Sequence, residues 1–179
     1  MKDFEEIKDL YAREVSSGRN AVREWNTNVE WTPRATRALA TVARRLFGLG
    51  RDLQVAHKGR PDCEQQQEYL ALDVCAWDRS CETTTWGAPL FIAETESKRG
   101  KQAPMFSAWK LLVVEAELRM LICYYGQGCA YRTEHELQER LQKVCTANPG
   151  RPLVVVAAEA VDAETPDDIR RAHKILAMH

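Results

Sequence analysis

In the segment Leu90-Phe91-Ile92-Ala93-Glu94-Thr95-Glu96-Ser97-Lys98, two acids and a lysine recur at every second position. The apolar start reads as a strand, and side chains along a strand alternate between its faces. Glu94, Glu96 and Lys98 therefore point the same way. A second strand-like segment, Tyr69-Leu70-Ala71-Leu72-Asp73-Val74-Cys75-Ala76-Trp77, carries one acid among residues that read as buried on both faces. A carboxylate is costly to bury unless it is paired or holds a metal. Acids on neighbouring strands, with a lysine in the row, predict a cation site suited to phosphodiester hydrolysis. Carboxylate oxygens suit a hard divalent ion. The ion activates a water and neutralises charge at phosphorus, and a lysine stabilises the same charge.

The elements that must position these residues can be read along the chain. Asp3 to Val15 has helical spacing, with Phe4, Ile7, Leu10 and Tyr11 apolar. Residues 16–31 read as a connector anchored by Trp25, Val29 and Trp31. Thr32-Pro33 opens a helix that runs to Phe47 and stops at Gly48 and Gly50. Three strands follow, over Asp52–Lys58, Tyr69–Trp77 and Pro89–Ser97, with gaps that suit an antiparallel meander. A helix from Met105 to Glu115 leads into a strand over Leu118–Tyr125, which implies a parallel crossover. Thr133 and Glu136 predict a capping box for a helix to Ala147. Pro152–Ala158 is a further strand. Thr165-Pro166-Asp167-Asp168 opens a last helix with Ile169, Ala172 and Leu176 inward. The expected fold is an α/β protein with a mixed central sheet flanked by helices. Residues 1–31 read as an N-terminal helix and connector, and residues 32–179 as a single α/β domain. No GxGxxG or P-loop is present, and the order is not the alternation of a Rossmann fold.

Helix, three strands, helix and strand, with Asp73 on the second strand and an acid-x-acid or acid-x-lysine on the third, resembles the PD-(D/E)xK nuclease superfamily, the restriction-endonuclease-like fold. The resemblance covers residues 30–125 and leaves 133–178 as peripheral additions. It implies an αβββαβ core, Mg²⁺ or Mn²⁺ as cofactor, and cleavage of phosphodiester bonds in DNA or RNA. Two alignments of the motif are open. In one, Asp73 and Glu96 bind the metal and Lys98 completes an E-x-K. In the other, Glu94 is the metal-binding acid, Glu96 takes the usual lysine place as in E-x-E variants, and Lys110 on the next helix supplies the amine. The second is favoured because Glu94 lies nearer the sheet centre, whereas Lys98 runs at once into Arg99-Gly100-Lys101. The resemblance also implies a glutamate from the first helix, for which Glu30 is the match. Some members of this superfamily have degraded sites and serve as protein- or nucleic-acid-binding modules. That is the alternative reading, and salt-bridged acids in a purely structural protein are a third.

Composition narrows the classes further. The chain has 179 residues, 45% of them hydrophobic and 28% charged, with a formal net charge of -1. That suits one globular domain and gives no global argument for a polyanion partner. The charge is uneven: seven basic residues and one acid lie between Pro33 and Arg60. Arg34, Arg37, Arg44 and Arg45 fall on one helix, as a phosphate-contacting surface or simply a solvated face. Trp77, Trp86 and Trp109 flank the acids in sequence and either stack on bases or fill the core. The six cysteines, at 63, 75, 81, 123, 129 and 145, show no zinc-site spacing. His57, His135, His173 and His179 form no metal motif, and Ser97 and Ser107 lack a nucleophile elbow. The charged N-terminus reads as no signal peptide and no apolar run is long enough to span a bilayer, so a cytoplasmic protein with reduced thiols is expected. A domain this small, without a recognition module, would need a homodimer or a protein partner for sequence specificity.

Overall fold

The computed structural model describes residues 3–27, 31–57, 71–79, 88–96, 100–176 and 178. Their elements are α1 (Phe4–Ser16), α2 (Ala21–Thr27), α3 (Trp31–Phe47), β1 (Leu53–His57), β2 (Val74–Asp78), β3 (Phe91–Glu96), α4 (Ala103–Val113), β4 (Leu118–Gly126), α5 (Glu134–Thr146), β5 (Val154–Ala160), α6 (Pro166–Ala172) and β6 (His173–Leu176). The strands form one mixed sheet in chain order, β1-β2-β3-β4-β5-β6. β1, β2 and β3 are an antiparallel meander. β4 and β5 run parallel to β3, and β6 returns antiparallel on β5.

Strand alternation divides the core into two layers. Val74, Ala76, Phe91 and Ala93 face α1 and α3, together with Tyr11, Leu39 and Val42. Cys75 and Ile92 face the other way, onto Leu111 and Leu112 of α4 and Leu137 and Leu141 of α5. β4 and β5 are apolar on both faces, as expected for strands covered by helices on each side. Helices on both faces of a mixed sheet make this the α/β architecture read from the sequence.

Several local expectations are corrected. The connector contains a helix, α2, whose Trp25 is buried and donates from Nε1 to the Val161 carbonyl at 2.6 Å. Thr32 and Pro33 lie inside the first turn of α3, which begins at Trp31. Asp73 precedes β2 instead of lying within it. The Thr133 hydroxyl does cap α5 by accepting from the Glu136 N–H, but the Glu136 carboxylate accepts from the N–H of Arg132, one residue before the cap. The reciprocal capping box occurs at α6, between Thr165 and Asp168. That helix stops at Ala172, and Leu176 is buried from a strand paired with Val155. No helix among the described residues is long and apolar enough to cross a membrane.

Candidate functional site

The site forms where β2 begins and β3 ends. Val74 pairs with Ala93 in the antiparallel register, so Asp73 stands opposite Glu94 at the next position. Both are buried. Two hydrogen bonds join their segments. The Asp73 N–H donates to Glu94 Oε1 at 3.2 Å, and the Thr95 N–H donates to Asp73 Oδ2 at 2.8 Å. Each side chain thus satisfies a backbone donor of the facing segment, where a buried orphan would be costly.

α4, which crosses from β3 to β4, brings in the cation. Lys110 Nζ lies 2.7 Å from Glu94 Oε1 and donates to the Ala71 carbonyl at 2.6 Å. Ala71 has φ 55, the only positive φ outside glycine among the described residues. Such backbone costs free energy for a residue with a Cβ and clusters at functional sites. Here it turns the chain into Asp73 next to the Lys110 ammonium. One α4 turn earlier, Ser107 Oγ donates to Glu96 Oε2 at 3.3 Å. Lys110 holds its place because α4 is clamped at its C-terminus. The buried Arg119 donates to the Leu111 and Val114 carbonyls at 2.9–3.1 Å, and Arg151 donates to the Leu112 carbonyl. These carbonyls have no intrahelical partner, so the guanidinium groups complete the helix.

Burial pushes the Glu94 carboxyl up to about 7. The Lys110 hydrogen bond opposes that shift, and the nearby Asp73 charge adds to it. Desolvation outweighs the lysine because the carboxylate has little water around it. Burial likewise pushes the Cys75 thiol up to about 12. Cys123, which pairs with Glu96 across β3 and β4, is raised still further by burial and then by that acid. Neither thiol is a nucleophile at neutral pH.

Of the residues singled out from sequence, Asp73, Glu94 and Lys110 come together. Glu96 shares their face of the sheet but binds Ser107. Lys98, Ser97, Trp86 and Glu30 lie outside the described residues. Trp77 packs against the α4 face of the core, while Trp109 is partly exposed. The arginines of α3 lie across the sheet from the acids. Arg34 is paired with Glu24, Arg45 lies 2.9 Å from Glu14, and Arg37 and Arg44 are exposed. Sequence reasoning weighed Ser107 only as a nucleophile and missed its bond to Glu96, which is legible only from its place one helical turn before Lys110. It also missed the Ala71 carbonyl, because nothing in an apolar run marks a left-handed residue.

Among the described residues no three His, Cys, Asp or Glu side chains converge as a metal-binding group. Asp73 and Glu94 are a carboxylate pair, and a hard divalent ion is commonly held by one or two carboxylates with water and substrate phosphate supplying the rest. The donor set therefore fits Mg²⁺ or Mn²⁺. No protein-family model, curated protein or solved structure matches this chain.

Proposed function

We propose that this protein is a metal-dependent nuclease of the PD-(D/E)xK kind in its E-x-E form, hydrolysing phosphodiester bonds in DNA or RNA with Mg²⁺ or Mn²⁺. One observation carries the reading: Lys110 of the crossover helix sits 2.7 Å from Glu94, which stands opposite Asp73. The element order α3-β1-β2-β3-α4-β4 supports it. Asp73 and Glu94 would hold the ion, with Glu96 next along the same face. Bound there, the ion supplies Lewis-acid activation of water and of a phosphoryl oxygen. Lys110 keeps a positive charge against the carboxylates, where negative charge develops on phosphate oxygens. Ser107 orients Glu96. The reading includes a reducing, cytoplasmic setting, supported by the free cysteines Cys75, Cys123, Cys129 and Cys145. It also includes a homodimer or a protein partner as the source of sequence specificity.

The test is Mn²⁺ calorimetry on wild type, Asp73→Asn and Glu94→Gln, each shown to be folded, followed by cleavage assays on DNA and RNA. Binding that both variants lose, with cleavage that Lys110→Met also loses, is the expected result. No Mn²⁺ binding by wild type sinks the hydrolytic reading.

A second reading has its own observation. Asp73 and Glu94 staple β2 to β3 through backbone donors, a role that needs no metal. In that case the same fold is a non-catalytic module that binds protein or nucleic acid. Glu94→Ala would then lower the melting temperature in a protein that has no metal affinity to lose.

A further inference from the structure

We infer that the outward face of α4 is a stacking platform for the unpaired bases of a single-stranded nucleic acid, so that the substrate is single-stranded. The inference rests on reading Asp73, Glu94 and Lys110 as a phosphodiester-cleaving site, and it names that site's substrate class. Most bulky apolar side chains of the described residues are buried. Of the five that are exposed, three lie on this helix: Phe106 at 58%, Trp109 at 46% and Val113 at 45%. Their spacing puts them in one stripe along the helix. Phe106 and Trp109 form a pair with ring centroids 5.7 Å apart and planes tilted by 30°.

Lys110 joins this stripe to the candidate site. Its Nζ lies 5.9 Å from the Phe106 ring centroid and 2.7 Å from Glu94 Oε1. A strand whose bases rest on the two rings therefore runs beside the ammonium that faces the carboxylates. Lys101, exposed in the turn before α4, adds a second cation at the aromatic end of the helix. Rings beside ammonium groups match the two chemistries of a single strand, π-faces and phosphates. In a duplex those faces are covered by neighbouring base pairs. A second copy of the chain fits less well, because three side chains fall far short of the roughly 800 Å² per partner that a stable dimer buries.

The experiment measures binding of a labelled mixed-sequence DNA single strand and of its duplex, in EDTA so that nothing is cut. The proteins are wild type, Phe106→Ala, Trp109→Ala and Trp109→Phe. Wild type should prefer the single strand, each alanine should weaken that binding about tenfold, and Trp109→Phe should keep most of it. Unchanged affinity in both alanine variants, or equal affinity for duplex, overturns the inference. So does a wild-type dimer in sedimentation that Trp109→Ala dissociates. Ring-dependent binding with no cleavage in Mg²⁺ or Mn²⁺ would sink the hydrolytic reading and leave the platform standing. Cleavage without single-strand preference would do the reverse.

Discussion

Asp73 and Glu94 close each other's backbone: the Asp73 N–H donates to the Glu94 carboxylate, and the Asp73 carboxylate accepts from the N–H that follows Glu94. The pair therefore has a structural duty that is separable from any chemistry. Asp73→Ala leaves the buried Thr95 N–H without its acceptor and should cost about 1–3 kcal/mol. Asp73→Asn keeps an oxygen there and should stay near wild-type stability while losing the charge a cation needs. Urea unfolding of the two variants checks this, and equal losses would show that the bond matters little.

Among the described residues, Lys110 is the only cation on Glu94. Removing it as Lys110→Met leaves only the Asp73 N–H to oppose desolvation, so the Glu94 carboxyl should titrate above 7. NMR titration of the glutamate carboxyl carbon reads this directly. A Glu94 that titrates lower in the variant than in wild type would contradict the assignment.

Two buried groups give stability opposite slopes with pH. Glu94 is raised to about 7 from an ordinary 4.5, so its contribution is full below 4.5 and is lost as pH rises toward 7. His173, between Tyr11 and Trp25, is lowered to about 4 from 6.5, because burial disfavours its charged form. Its contribution is full above 6.5 and is lost as pH falls toward 4. Each shift corresponds to about 3 kcal/mol at most. Wild type should therefore be nearly flat between pH 4.5 and 6.5, the overlap of the two windows. Glu94→Gln should expose the acid loss, and His173→Phe the loss on the alkaline side. Denaturation at a series of pH values tests this, and parallel profiles for all three proteins would refute it.

Arg119 fixes the end of α4 and, through the helix, the position of Lys110. Arg119→Leu leaves the Leu111 and Val114 carbonyls unpaired and should cost about 2 kcal/mol. Arg119→Lys should recover only part, because an ammonium lacks the guanidinium fork. Hydrogen exchange of the α4 amides should quicken in both. Unchanged exchange would show that packing alone holds the helix.

The N-terminal helices belong to the core. Ile7, Tyr11, Val15 and Trp25 are buried with α3 and the sheet, and Asn26 exchanges two hydrogen bonds with the Ala163 backbone. A protein cut to residues 32–179 should lose cooperative unfolding, as seen by calorimetry. A sharp transition near the wild-type temperature would show instead that those residues fold alone.

The alternation in Phe91–Glu96 was enough to put Glu94 and Glu96 on one face, because period two holds wherever a strand forms. The lysine on α4 was legible from the crossover that a strand-helix-strand order demands. Three features were not. α2 is short, and its burial comes from Trp25 meeting the distant segment at Val161. Ile169, Ala172 and Leu176 fit a helical stripe, yet the open edge of β5 recruits residues from His173 onward as a strand. Asp73 sits outside β2 because Ala71 takes a left-handed conformation that an apolar sequence does not announce.

Strand order equal to chain order has a kinetic consequence. Each strand pairs only with its neighbour in sequence, so the sheet grows by successive short loop closures, the cheap kind of contact for a folding chain. α1 and α2 are exceptions, since α1 packs on α6 and β6, and α2 on α6, more than a hundred residues along the chain. Until α6 and β6 are in place, the apolar face of α1 lacks part of its cover. The step that completes this fold is thus the meeting of α1 with α6 and β6.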